Sequence, residues 1–375
     1  MRKKIELVYF NAGGGHRSAA LALQEVIAQK HPEWDVALVN LFEVIDSERY
    51  FQKLTGFAPE DLYNLRLKKG WTRGLATELK IFQAMIRLTH VKLKNKIQKF
   101  WKERQPDLVV SLIPNFNKVM FESLKEAYSG TPYVTVMTDL ADYPPNFWIE
   151  PYQEQYLICG SDRAVMQAYD TGYRKNQIIQ TSGMILRPAF YTLPPIDGHA
   201  RRVEMGLDPA QVTGLVMFGG HGSTQMLTIA KQLSHRQMIF ICGKNALLAK
   251  KIQALKPSAP HVVFEFTSDI NLIMQVSDYF IGKPGPGSLS EAIHIGLPVI
   301  TFKNASTMPQ ERFNTKWVTD NQYGLVIAKM RDLPDVVESM IAELPFYKEK
   351  VSSVDNRAVF EVVEALDRIL DSSTM

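Results

Sequence analysis

The sequence predicts an α/β protein built from two Rossmann-like domains. Three observations carry that expectation: the length, an alternation of short apolar strands with amphipathic helices, and a restart of the alternation after a proline-marked stretch. At 375 residues the chain exceeds what one hydrophobic core ordinarily serves, so two domains of similar size are expected. The first rhythm runs through Ile5 to Asn11, Trp34 to Leu41, Asp107 to Leu112, Tyr133 to Thr138 and Gln155 to Gly160, with a helical period over Arg17 to Lys30. Such alternation gives a parallel sheet covered by helices. Between Arg187 and Gly198 the period is lost and X-Pro steps disfavour helix, which makes a hinge. The strands restart with Gly214 to Phe218, Met238 to Cys242, Val262 to Phe266, Tyr279 to Ile281 and Pro298 to Phe302. The expected domains are therefore 1–190 and 200–345. The tail, 346–375, carries a helix from Val354 to Leu370 that closes the second domain or crosses back to the first.

Composition narrows the class. With 46% hydrophobic and 22% charged residues the chain is that of a globular protein. Its two cysteines, Cys159 and Cys242, sit far apart in apolar runs, against a disulfide framework or a zinc cluster and in favour of a reducing compartment. The N-terminus enters a strand directly, and no apolar run approaches the roughly 18 residues of a membrane span, so a cytoplasmic protein is expected. The net charge is only +4, yet Leu62 to Arg104 holds twelve Lys or Arg against two acids, Glu78 and Glu103. Trp71, Leu75, Ile81, Phe82, Met85, Ile86, Leu88, Phe100 and Trp101 interleave with those cations. That pattern suits a helix lying on an anionic membrane surface, or an amphipathic helix packed on the first domain. Nucleic-acid binding is not expected, because no recognised motif accompanies the charge.

The first strand runs into Asn11-Ala12-Gly13-Gly14-Gly15-His16-Arg17-Ser18, a glycine-rich turn at a helix start. Glycines let backbone approach a ligand, and a helix N-terminus offers unpaired N–H groups, so an anion or diphosphate fits. The spacing also grazes the dinucleotide fingerprint, which needs an acid after the second strand, where Asn40 and Glu43 stand. His16 sits where doubly wound folds bind ligands and titrates in the range of proton transfer.

A second glycine loop, Gly282-Lys283-Pro284-Gly285-Pro286-Gly287-Ser288, again follows a strand and opens a helix. Gly285, Gly287 and the Ser288 hydroxyl suit a diphosphate, and Glu291 could accept both hydroxyls of a ribose. The competing reading makes Ser288 and Glu291 a capping box. Further on, Met308-Pro309-Gln310-Glu311-Arg312-Phe313-Asn314 gathers amides and carboxylates of the kind that take up sugar hydroxyls, or simply solvate a helix start.

Assembled, these residues make the chain resemble the family of monogalactosyldiacylglycerol synthases, diacylglycerol glucosyltransferases and the lipid II N-acetylglucosaminyltransferase, a glycosyltransferase family 28-like group. The resemblance rests on Gly-Gly-Gly-His-Arg at 13 to 17, Lys-x-Gly-Pro-Gly-Ser-x-x-Glu-Ala at 283 to 292 and Pro-Gln-Glu at 309 to 311, and it covers most of the chain. It implies a GT-B fold, two Rossmann-like domains facing across a cleft, with acceptor on the first, UDP-sugar on the second and the final helix returning to the first. It implies that His16 is the general base, Glu291 the ribose ligand, and Ser288 with Gly285 and Gly287 the diphosphate cradle. Gln310 and Glu311 read the sugar with Asn314 beside them, and Phe266 caps uracil next to Thr267, although Phe266 also reads as an ordinary strand-end core residue. Gly220, in Gly219-Gly220-His221-Gly222-Ser223, matches the glycine loop that opens the second domain, with His221 in place of a smaller residue. Gly14, Gly15, Asp139 and Trp148 fall to the glycine turn or the acceptor side. The family's segment between Asp139 and Trp148 contains a His that this chain lacks. Arg187 is a cation for the diphosphate or a surface ion pair.

The reaction implied is a single inverting displacement. His16 takes the proton of an acceptor hydroxyl, and the hexose leaves UDP for a membrane lipid, diacylglycerol first among the acceptors. The departing diphosphate is stabilised by loop amides, and no Asp-x-Asp segment is present, so neither metal nor cofactor is expected beyond the UDP-sugar itself. The alternatives are a polyprenyl-linked or other hydrophobic acceptor, an NAD-dependent oxidoreductase using the first glycine turn, and an inert membrane-binding protein that keeps a nucleotide-sugar site.

Overall fold

The computed structural model describes residues 2–11, 14–46, 75–305 and 307–372. Gly13, and the part of the basic segment at 62–74 with Trp71, lie outside them. The described residues divide into two compact units, one formed by those up to Pro188 together with those from Asn356, the other by Ala189–Asp355.

The first unit is a parallel sheet of β1 (Lys4–Tyr9), β2 (Asp35–Asn40), β3 (Leu108–Ser111), β4 (Tyr133–Val136), β5 (Tyr156–Cys159) and β6 (Ile178–Gln180), in the order β2-β1-β3-β4-β5-β6. Its helices include α1 (Gly15–Lys30), α2 (Leu41–Ile45), α3 (Leu75–Leu88), α4 (His90–Arg104), α5 (Asn117–Ala127) and α6 (Asp162–Asp170). β3 and β4 are buried along their whole length, as parallel strands covered on both faces must be. Strand order reverses between β1 and β3, and loops at such a reversal diverge to leave a crevice at the carboxyl edge.

The basic segment divides by burial. Ile86, Ile97 and Trp101 are core, and Phe82 and Phe100 pack against it. The Trp101 indole donates to Ser123 Oγ at 2.9 Å. Arg104 pairs with the buried Glu6 at 2.8 Å, and Lys94 with Glu126 at 2.5 Å. Phe82, from α3, and Phe100 and Trp101, from α4, therefore serve packing on the first unit, with Trp101 turned toward α5. What stays outward is a stripe of Ile81, Met85, Leu88 and Val91, each more than half exposed, beside the exposed Arg87 and Lys92. No described helix is long and apolar enough to cross a membrane.

The second unit repeats the plan with β7 (Gly214–Met217), β8 (Met238–Ile241), β9 (His261–Phe264), β10 (Tyr279–Gly282), β11 (Val299–Phe302) and β12 (Gly324–Ile327), all parallel, in the order β12-β11-β10-β7-β8-β9. Its helices are α7 (Gly198–Glu204), α8 (Gln225–Gln232), α9 (Ala246–Gln253), α10 (Ile270–Gln275), α11 (Pro286–His294), α12 (Arg312–Asp320), α13 (Leu333–Ala342) and α14 (Leu344–Ser352). The reversal here lies between β10 and β7.

The tail at 346–375 is not one element. α14 stays with the second unit, where Tyr347 joins the core and Lys348 pairs with Asp278 at 2.8 Å. The change of unit falls at Asn356, and α15 (Ala358–Ser372) packs on α1, with Lys30 2.9 Å from Glu364. Glu361 accepts from the Ser182 backbone N–H at 2.6 Å, which fastens the start of α15 to the same unit. The two edge strands β6 and β12 were not among the expected strands. β6 has three residues, too few to show a period. β12 is a bare Gly-Leu-Val-Ile run after a turn, and that run was its available signal.

Candidate functional site

In the first unit, β1 ends at Tyr9 and α1 begins at Gly15, with Gly14 as its N-cap at φ +87°, a conformation that favours glycine. A Cβ on Gly14 or Gly15 would meet nothing within 4 Å, so the turn is open on that side. His16, in the first turn of α1, lies at the strand-order reversal. Its Nδ1 is 3.0 Å from Thr138 Oγ1, just beyond β4. Enclosure lowers its pKa to about 4, an effect that a hydrogen bond to the Leu112 backbone offsets only in part. At neutral pH the imidazole is uncharged and keeps a lone pair for a proton.

Asp139 and Trp148 are both buried within the first unit. Trp148 is fully buried and its Nε1–H donates to Asp139 Oδ2 at 2.9 Å. Asp142 in turn accepts the backbone N–H groups of Asn146, Phe147 and Trp148 at 2.9, 2.9 and 2.6 Å. The segment is thus folded on itself, and the Trp148 ring lies 5.9 Å from that of His16 as part of its wall. Asn40 is spent as the N-cap of α2, its Oδ1 accepting from Phe42 N–H at 3.1 Å, so the dinucleotide reading loses one of its two candidates at that position. Arg187 is half-buried in the last turn of chain before Pro188, within the first unit.

In the second unit, two glycine loops leave the strands that flank the reversal, β7 and β10. Gly219 to Gly222 closes a turn by Gly222 N–H to the Gly219 carbonyl at 3.2 Å, and Lys244 N–H reaches the Gly220 carbonyl at 2.9 Å. A Cβ on Gly243 would come within 2.4 Å of that carbonyl, so only glycine permits this approach. A Cβ on Gly220 would meet nothing. After β10, α11 starts at Pro286 with Gly285 as N-cap and no side-chain cap, so Ser288 lies inside the first turn and the capping-box reading of Ser288 and Glu291 fails. Ser288 Oγ is 3.4 Å from the Gly285 carbonyl, Glu291 is half-buried one turn on, and Gly287 is open.

Lys283 lies between the loops. A Cβ built on Gly219 would be 3.7 Å from Lys283 Cε, and Lys283 Nζ pairs with Glu311 Oε1 at 2.6 Å. Glu311 is buried within the 3-10 turn Pro309–Glu311, Gln310 beside it is half-buried, and Asn314 is fully buried with its Nδ2 donating to the Pro284 carbonyl at 2.7 Å. Asn314 is therefore turned into the protein, where the Pro284 carbonyl holds its amide. Phe266 is 63% exposed, which removes its core reading, and Lys244 Nζ stands 5.8 Å from its ring centroid. Thr267 accepts from Asp269 N–H at 3.1 Å. Sequence reasoning overlooked Thr138, a polar residue closing a strand, and Lys244, a cation after a strand-end glycine; strand-end polarity was the signal for both.

Each unit matches a family model: monogalactosyldiacylglycerol synthase over residues 16–184 and the glycosyltransferase family 28 C-terminal domain over 215–369. The monogalactosyldiacylglycerol synthase of Spinacia oleracea is 25% identical over 392 residues, covering 98% of this chain and 73% of its own. That of Arabidopsis thaliana, synthase 1, is 26% identical over 396 residues, covering 98% and 71%. The fold is similar to that of Acinetobacter baumannii MurG, with a TM-score of 0.63 at 12% identity over 98% of this chain and 100% of that one. It is also similar to Anabaena HepE in complex with UDP-glucose, with a TM-score of 0.57 at 15% identity over 98% and 99%. The fold is GT-B, and the chain belongs to the glycosyltransferase family 28-like group that contains the monogalactosyldiacylglycerol synthases.

Proposed function

We propose that the protein is an inverting glycosyltransferase that moves a hexose from a UDP-sugar to a membrane lipid, diacylglycerol above other acceptors. The observation that carries this reading is the pair of glycine loops at the reversal of the second sheet, with Lys283, the α11 N-terminus and Glu291 around them. Loop amides and a helix N-terminus suit a diphosphate, and Phe266, exposed beside Thr267, suits a uracil face. Gln310 and the second oxygen of Glu311 remain for the hexose.

On the first unit, neutral His16 accepts the proton of the attacking hydroxyl as its oxygen bonds to the anomeric carbon and the bond to UDP breaks. The proton ends on the imidazole and the electron pair on the diphosphate. The names of the relatives support diacylglycerol as acceptor and a galactolipid, over a glucolipid, as product. The stripe Ile81, Met85, Leu88 and Val91 with Arg87 and Lys92 supports peripheral binding to an anionic membrane surface.

Calorimetry of UDP and, in parallel, NAD tests the donor half. UDP binding without NAD binding is the expected result, and NAD binding without UDP returns the oxidoreductase reading. Transfer of labelled hexose to diacylglycerol vesicles, compared with a polyprenyl-linked acceptor, then tests the acceptor.

A further inference from the structure

Three consecutive residues at the end of β10 are each held by a polar side chain from the segment that follows. The buried Thr301 hydroxyl donates to the Gly282 carbonyl at 2.9 Å. Glu311 holds the Lys283 ammonium at 2.6 Å, and Asn314 donates to the Pro284 carbonyl at 2.7 Å. Immediately afterwards Gly285 N–H closes a turn on the Lys283 carbonyl at 2.8 Å and α11 begins. Asn314 is completely buried, and its Oδ1 accepts no hydrogen bond among the described residues, so the bond to Pro284 is its side chain's anchor.

We propose that Asn314 is a positioning residue for the diphosphate loop and not a sugar contact. This rests on reading the second unit as the UDP-sugar half. Its amide fixes the peptide between Pro284 and Gly285, and so sets where the first N–H groups of α11 point before a donor arrives. Glu311 and Asn314 stand three residues apart at the entry to α12, so the segment that reads the hexose also sets the loop that takes the diphosphate. Diphosphate binding and hexose binding are then coupled through one rigid element. A residue that only touches the sugar would leave UDP binding unchanged, whereas a residue that places the loop changes it.

The test is calorimetric affinity for UDP and for a UDP-hexose in the whole protein and two variants, each checked for a cooperative melt. Asn314→Ala should weaken UDP and UDP-hexose alike, by about tenfold, the usual cost of leaving a buried carbonyl unpaired. Asn314→Asp should be equally weak at pH 8, where a carboxylate cannot donate. Relative to wild type at each pH it should recover as the pH falls, because the protonated carboxyl donates to Pro284 again and burial raises the pH at which it protonates. Wild-type UDP affinity in Asn314→Ala with loss confined to UDP-hexose would make Asn314 a sugar contact and overturn the proposal. So would an Asn314→Asp deficit that is the same at every pH. Should the Asp variant fail to fold, the UDP against UDP-hexose comparison in Asn314→Ala decides alone. If the wild type binds no UDP, the nucleotide-sugar reading falls first and this proposal with it.

Discussion

The two sheets reach the same kind of crevice by opposite means. In the first unit the turn before α1 is open around Gly14 and Gly15, and its chemistry is concentrated in one side chain, His16, half-buried, 3.0 Å from Thr138 and beside the Trp148 ring. In the second, chemistry is spread over backbone, and buried groups brace that backbone residue by residue: Thr301, Glu311 and Asn314. A proton acceptor needs a single group with a suitable pKa. An anion site needs several N–H groups held in place beforehand, and that demands buried polar support.

The sharpest break between the halves is His16→Ala, which should lower transfer by about 10²–10⁴-fold, the usual worth of general base catalysis, while leaving UDP affinity as it was. Steady-state transfer with parallel calorimetry measures both, and near-normal turnover removes His16 from the mechanism. Glu291→Ala should do the reverse, weakening UDP by about 10–100-fold through lost charge-assisted hydrogen bonds to the ribose. An affinity equal to wild type would leave Glu291 without a ligand role.

Lys283→Met strands the buried Glu311 carboxylate. We expect a loss of about 1–2 kcal/mol in denaturant unfolding, below the cost of a fully buried pair because the Lys283 side chain is 36% exposed. Adding Glu311→Gln should restore most of it, and no restoration would mean the pair does not brace the loop.

The pH profile sharpens the first half further. His16 titrates near 4, below its ordinary 6.5, so its basic form persists as pH falls and is lost only through about 4. Plots of kcat/KM against pH should therefore be flat between pH 6 and 8, whereas a fall centred near 6.5 would show an unenclosed ring. The unfolded chain still protonates near 6.5, so stability should also decline from there towards pH 4. Asp139→Asn, which keeps an acceptor for the Trp148 indole, should have the smallest effect, within about threefold in transfer.

Much of this was legible without a structure. The alternating period gave ten of the strands their places, because apolar runs bounded by turns leave few other folds open, and both glycine loops announced their helix starts. The edge strands β6 and β12 were missed, since short strands carry little periodic signal. The pattern of the basic segment suits a membrane face or a helix packed on the first domain alike, and only the fold puts Trp101 and Ile97 in the core; composition reports which residues are present on a helix, not which side is covered.

The sequence by itself determined the two-unit α/β plan and the chemical inventory, His16, Glu291, Gln310 and Glu311, because local pattern and residue chemistry are written in neighbours along the chain. Only the tertiary structure decided the partners. Packing buried Trp148 and Asn314 against neighbours in their own units, put Phe266 in the open, gave His16 its low pKa and matched Lys283 with Glu311 across 28 residues of sequence. Those outcomes depend on which groups share a space and exclude water, and that is settled by packing between elements distant in the chain.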